Sequence, residues 1–204
     1  MKIGIMGGTF DPIHNGHLML GKYAKDLFGL NQVWYMPNGN PPHKSDDAIE
    51  TLTKHRVEMV RLAIEADDDF SLQLYEVNRK DINYSYLTME HFCEKYPEYE
   101  FYFIIGADSL FSIEQWKCPE RLLKTCIILA AYRDGKTADE MQNQINYLNK
   151  KYQADIRLLN TPDVDISSTE IKIRMKEKQS IKDLVPEKVY SYIKQHDLFT
   201  GDME

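Results

Sequence analysis

Residues 3–30 read IGIMGGTFDPIHNGHLMLGKYAKDLFGL. Ile3 to Met6 is a short apolar run, the pattern of a strand buried on both faces of a parallel sheet. From Leu18 onward, Leu18, Leu20, Tyr23, Ala24, Leu27 and Phe28 fall on one broad helical face, and Gly29 stands where a helix C-cap belongs. Between them lies GGTFDPIHNGH, Gly7–His17. It places three glycines, an Asp-Pro and two histidines where a buried strand feeds a helix.

The alternation continues outward. Gln32–Met36 predicts a second strand, ended by the loop residues PNGNPPHK. Leu52–Ala66 predicts a helix, Phe70–Leu74 a strand and Ser85–Tyr96 a helix. Glu100–Ile105 is a strong strand ending on Gly106-Ala107-Asp108. A short helix follows at Cys118–Leu123, then a central strand at Cys126–Ala131, a helix at Ala138–Tyr152 and a strand at Asp155–Leu159. Two C-terminal helices, near Ser168–Lys178 and Pro186–His196, complete the chain. Strands alternating with helices predict an α/β fold, an open parallel Rossmann-like sheet with right-handed crossovers, helices on both faces and a C-terminal helical segment. With no repeat and no long linker, 204 residues read as a single domain, 1–204. In such sheets ligands bind beyond the carboxyl ends of the strands, where strand order reverses. That singles out the loops Gly7–His17, Pro37–Ser45, Gly106–Asp108 and Arg133–Lys136.

Composition narrows the partners. A formal net charge of −7 argues against a general nucleic-acid coat, though not against a local basic pocket. No apolar run is long enough to span a bilayer, and nothing resembles a signal peptide. Cys93, Cys118 and Cys126 are odd in number and lack metal-ligand spacing, which suits a cytoplasmic location.

The loop after the first strand is neither GxGxxG, because its glycines fall at 4, 7 and 8, nor GxxxxGK[ST], because no Lys-Ser or Lys-Thr follows Gly16. It still holds the ingredients of a phosphate site. Gly7 and Gly8 let backbone amides approach an oligophosphate. Asn15 is an N-cap candidate, so the helix aims its unpaired N–H groups at the loop. His14 and His17, three apart, share one side and can donate to phosphoryl oxygens whose charge grows in a transition state. Surface histidines or a partial metal site are the simpler readings of two imidazoles, but no convincing third ligand accompanies them: Asp11 more naturally starts the Asp-Pro turn. Far downstream, ISSTEIKIR (Ile166–Arg174) reads as a helix start, with Ser168 or Thr169 as cap and Lys172 or Arg174 adding positive charge.

Taken together, GGTFDPIHNGH and ISSTEIKIR resemble the HxGH nucleotidyltransferase superfamily of adenylyl- and cytidylyltransferases. Within it, PNGNPPHK and the IIGADS–Trp116 region make the chain similar to bacterial nicotinate-nucleotide adenylyltransferases over almost its whole length. The resemblance implies transfer of AMP from ATP to nicotinate mononucleotide, with a Mg²⁺ ion carried on ATP. It assigns catalysis to His14, His17 and Lys44. It assigns ATP binding to Gly7, Gly8, Thr9, Phe10, both histidines, Gly106, Asp108, Arg133, Ser168, Thr169, Lys172 and Arg174. His43, Lys44, Ser85, Tyr86 and Trp116 would hold the mononucleotide, Trp116 by stacking on the pyridine ring. Two departures stand out: Lys172 occupies the position of the family's arginine, with Arg174 two residues on, and Leu87 replaces the threonine of a family S-Y-T segment. The alternatives are the same chemistry on another phosphate acceptor and a non-catalytic nucleotide-binding domain. A nicotinamide-dependent oxidoreductase is disfavoured by the missing GxGxxG, and a class I synthetase by length. Nothing in the sequence argues against a homo-oligomer.

Overall fold

The computed structural model describes residues 1–39, 51–79, 81–132, 136–162 and 166–200. β1 (Lys2–Gly8), α1 (Asn15–Phe28), β2 (Gln32–Pro37), α2 (Thr53–Ile64), β3 (Phe70–Leu72), α3 (Ser85–Lys95) and β4 (Glu100–Gly106) form the first half. α4 (Ala107–Ser112), a 3₁₀ turn at Ile113–Gln115, α5 (Pro119–Thr125), β5 (Ile127–Ala131), α6 (Ala138–Tyr152), β6 (Ile156–Leu159), α7 (Ser168–Lys176) and α8 (Glu187–Gln195) follow. All strand pairs are parallel, in the order β3-β2-β1-β4-β5-β6. Strand order reverses between β1 and β4, where a doubly wound sheet opens a binding crevice.

Alternation along the strands divides the core between two faces. Ile3, Ile5, Phe101, Phe103 and Ile128 pack with α3 to α6, through Met89, Phe92, Leu122 and Ile145. Met6, Tyr102, Ile104 and Leu129 pack on the other face with α1, α2, α7 and α8, through Ala24, Val60, Ile171 and Val189. The expected sheet, with helices on both faces and a C-terminal helical segment, is therefore the observed one.

Three local expectations are corrected. Gly106–Asp108 is not a loop: β4 runs straight into α4, with Gly106 as N-cap at φ −82°, ψ 170°. An extended residue followed directly by helical ones reverses the chain without any turn residue to signal it. The α1 N-cap is His14, in an extended conformation, while Asn15 is already the first helical residue. Asn15 instead reaches the C-terminal segment, donating from its backbone N to Leu184 O at 2.9 Å and from Nδ2 to Asp183 O at 3.0 Å. The α7 cap is Ser167, whose Oγ accepts from Glu170 N at 3.0 Å, rather than Ser168 or Thr169. The C-cap at Gly29 is as expected, with φ 62°.

One packing contact holds α1 over the sheet. Tyr35, fully buried on β2, donates its hydroxyl to His17 O at 3.2 Å. A Cβ placed on Gly21 would lie 2.1 Å from that hydroxyl oxygen. Gly→Ala in a helix interior ordinarily gains about 1 kcal/mol, but overpacking a rigid buried ring costs about 1–3 kcal/mol. Gly21→Ala is therefore expected to lower stability by roughly 1–2 kcal/mol, read as an earlier urea midpoint at unchanged slope.

Candidate active site

The crevice begins where β1 and β4 part. Their pairing ends at Met6–Ile104, whereas β1 and β2 stay paired to Gly8–Pro37. Gly7 and Gly8 thus border an opening on the β4 side. Across it, a Cβ on Gly106 would meet no protein atom within 4 Å.

Two pockets occupy this opening and share Gly7, Phe103, Ser109 and Trp116 as a common wall. The first runs over His14, Gly16, His17, Gly106 and Ile166. The second runs over Gly8, Thr9, Asn38, Ser85 and Tyr86.

The two histidines stack, with ring centroids 3.7 Å apart and planes 29° from parallel. His17 Nδ1 accepts from the His14 backbone N–H at 3.3 Å. With Nδ1 accepting, the ring proton sits on Nε2, which makes Nε2 the donor. Phe10, which the resemblance gives to ATP binding, has its ring buried in the core, in a T-shaped contact with His17 at a centroid distance of 5.0 Å. Its backbone has a left-handed φ of 50°, a strained conformation for a non-glycine residue.

The distant ISSTEIKIR segment does come to this loop. Ser168 Oγ donates to Pro12 O at 2.9 Å, which seats the start of α7 on the motif. Lys172, on the same side, has its Nζ 3.6 Å from the buried Asp11 carboxylate. Arg174 turns away and pairs with Glu170 at 2.5 Å. Lys172 is therefore the cation of this pair that sits beside the motif loop. Thr169 is exposed, as is Asp108 on the first turn of α4; neither lines the two pockets.

In the second pocket, Ser85 and Tyr86 form the first turn of α3, so unpaired helix N–H groups face this region. The Tyr86 side chain is buried, with the Arg121 guanidinium 4.4 Å from its ring centroid. Trp116 follows the 3₁₀ turn and stands at the junction of the two pockets. His43, Lys44 and Arg133 lie outside the described residues.

The chain matches the cytidylyltransferase-like family model over residues 5–174. It is 41% identical over 198 residues to a probable nicotinate-nucleotide adenylyltransferase of Clostridium tetani, covering 97% of this chain and 98% of that one. A protein of the same description from Lachnoclostridium phytofermentans is 42% identical over 199 residues, with the same coverage. The chain belongs to the nicotinate-nucleotide adenylyltransferase family. The fold agrees: a Plasmodium falciparum nicotinic acid mononucleotide adenylyltransferase, solved with NaAD, superposes with a TM-score of 0.81 at 23% identity, covering 100% of this chain and 99% of that one.

Within this adenylyltransferase fold, several residues around the crevice carried no motif signal. Among the described residues Arg56 is the largest fully buried side chain, and it reaches two of the strand-end loops. Lys117 and Glu76 line the second pocket. The helical pattern of α2 is satisfied without Arg56, so only its depth in the fold marks it.

Glu76 is buried and accepts from Thr88 Oγ1 at 2.8 Å. Burial pushes its carboxyl up to about 7, against the opposing pull of Thr88 and Arg79. A carboxyl raised in the folded state contributes stability that is complete below its unfolded pKa and is lost as pH rises through its folded pKa. Glu76→Gln keeps the acceptor without the charge. The variant should melt roughly 4–8 °C above the parent at pH 8, with the gap closing near pH 4.5, in a series of thermal melts against pH.

Proposed function

We propose that the chain transfers AMP from ATP to nicotinate mononucleotide, forming nicotinate adenine dinucleotide and pyrophosphate, a step of NAD biosynthesis. The observation that carries this reading is the pair of pockets meeting at Gly7, Phe103, Ser109 and Trp116. One holds the imidazole pair for a triphosphate, and the other the α3 N-terminus for an acidic pyridine. Their shared wall allows the two phosphates to meet in line. The same sheet and its two core faces support reading residues 1–204 as one domain, and the free thiols Cys93, Cys118 and Cys126 support a cytoplasmic enzyme.

The nucleophile is already an anion, so no strong general base is needed. A phosphate oxygen of the mononucleotide bonds to the α-phosphorus of ATP, and the bond from that phosphorus to the bridging oxygen of pyrophosphate breaks. The protein's task is alignment and neutralisation. His17 Nε2–H and the N-terminus of α1 meet phosphoryl oxygens as charge develops on them. His14 stacks on His17 and shares that task, while Lys172 places a cation at the same loop. Gly7, Gly8 and Thr9 let the backbone approach the nucleotide, and Gly106 leaves room over β4. Ser168 holds the α7 segment in place. Ser85 and Tyr86 present backbone donors to the pyridine carboxylate, and Trp116 offers a stacking face. Lys44, with His43, is assigned to the mononucleotide phosphate and Arg133 to ATP.

Nucleotidyltransferases generally use a divalent metal. Among the described residues no three carboxylate, histidine or cysteine groups are placed to hold one. Asp11, the buried carboxylate of the motif loop, already faces Lys172 and Arg56. A Mg²⁺ ion carried on the triphosphate would be held by phosphate oxygens and water, and it would neutralise charge on the leaving pyrophosphate.

The test is pyrophosphate release from ATP and Mg²⁺ in the presence of nicotinate mononucleotide, nicotinamide mononucleotide or phosphopantetheine. The expected order is nicotinate mononucleotide first, nicotinamide mononucleotide well behind, and no stimulation by phosphopantetheine. No stimulation by either pyridine mononucleotide overturns the assignment.

A further inference from the structure

Arg56 projects from α2 into the sheet's carboxyl end and is 1% exposed. Its Nη1 donates to Thr9 O at 2.7 Å, and its Nη2 donates to Asn38 O at 3.0 Å and to Thr53 Oγ1 at 3.0 Å. Thr9 belongs to the loop after β1 and Asn38 to the loop after β2, and both line the second pocket. One guanidinium therefore bridges two loops that wall the pocket proposed for the mononucleotide. Burial lowers its pKa while Asp11 opposes that shift, and a guanidinium stays charged even so.

A buried cation whose partners are two backbone carbonyls and a hydroxyl is a costly way to fill a core. The peptide geometry shows what it accomplishes. In a planar trans peptide the C=O and the following N–H point in opposite directions. Holding Thr9 O and Asn38 O against Arg56 turns the N–H groups of Phe10 and Gly39 away from it. Neither N–H donates to an acceptor among the described residues. At Phe10 the backbone is also in the left-handed region, which persists only where its surroundings hold it. A second tie, Asn38 N to Gly8 O at 2.9 Å, joins the same two loops.

We propose that Arg56 is a positioning residue: its fork orients the Thr9–Phe10 and Asn38–Gly39 peptides so that their N–H groups serve as phosphate donors and the two substrate loops keep a fixed separation. This rests on the function proposed above. The fork matters more than the charge, because a lysine ammonium is a point donor on a flexible stem and cannot hold two carbonyls in a planar geometry.

The test compares Arg56→Lys and Arg56→Met with the parent in the pyrophosphate-release assay and in calorimetric titration with nicotinate mononucleotide and with inorganic phosphate. Both variants should keep a cooperative melt and lose 10- to 100-fold in kcat. KM for nicotinate mononucleotide should rise several-fold, because Thr9 and Asn38 line the second pocket, and the affinity for each titrant should fall at least fivefold. A folded Arg56→Lys with the parent's kcat, KM and affinities overturns the proposal. Loss of the cooperative melt in both variants makes Arg56 a folding residue and overturns it too. If the parent itself releases no pyrophosphate with nicotinate mononucleotide, the functional reading fails. The inorganic phosphate titration then decides the positioning role separately, and equal affinity of parent and Arg56→Lys refutes it.

Discussion

His17→Ala lowers kcat by about 10²–10³-fold, the loss expected when one preorganised donor is removed from developing phosphoryl charge. The imidazole is placed for this by three independent contacts. Its Nδ1 accepts from the His14 backbone, one face stacks on the His14 ring at 3.7 Å, and Phe10 meets it at 5.0 Å. None involves a residue of a strand, so the main structural cost is that of a lost helix-start hydrogen bond, about 1 kcal/mol. The melting temperature should therefore fall only by roughly 2–4 °C. KM for nicotinate mononucleotide should change little, because His17 lines the first pocket and not the second. Steady-state kinetics beside a thermal melt separates these effects, and a variant within threefold of the parent's kcat removes His17 from the chemistry.

The second large effect distinguishes two cations two residues apart. Lys172→Met should reduce kcat/KM for ATP by about 10–100-fold, the consequence of removing a charge-assisted partner of a phosphate. Arg174→Met should stay within about threefold, since an exposed i,i+4 pair contributes only about 0.3–0.5 kcal/mol. The reason is geometric. Lys172 reaches toward Asp11 inside the motif loop, with its side chain 17% exposed, while Arg174 spends its guanidinium on Glu170 at the surface. Lys172→Met also takes away a neighbour of the buried Asp11 carboxylate, leaving Arg56 as the nearby buried cation. Lys172→Arg tests whether charge alone suffices at this position. Equal losses in Lys172→Met and Arg174→Met would refute the distinction.

Much of this arrangement was legible before any coordinates. The run IGIM, the helical face from Leu18 and the alternation that follows led to an open parallel sheet, because each pattern reports a local burial requirement. The crevice loops follow from the rule that ligands bind beyond the carboxyl ends of the strands, where strand order reverses, although Gly106–Asp108 is a strand end entering a helix. The helix at Ala107–Ser112 was not legible, because β4 passes into it without a turn residue. Each cap lies one residue before the expected one, at His14 and Ser167, because long-range contacts take Asn15 to Asp183 and Ser168 to Pro12. The family resemblance gives Phe10 to ATP binding, and residue type alone does not say whether its ring or its backbone would serve. In the fold the ring is buried and the backbone lies in the left-handed region.

The sequence by itself determined the sheet, the family and the two motifs that meet at the crevice. Those rest on periodicity and on residue types in fixed spacing, which are properties of short stretches of chain. Only the tertiary structure decided which cation faces the motif loop, which side chain caps each helix, and that Arg56 bridges two loops from within the core. Those depend on contacts between residues as far apart as Pro12 and Ser168, or Thr9 and Arg56. No local pattern encodes such contacts, because they exist only once the strands have set the loops beside one another.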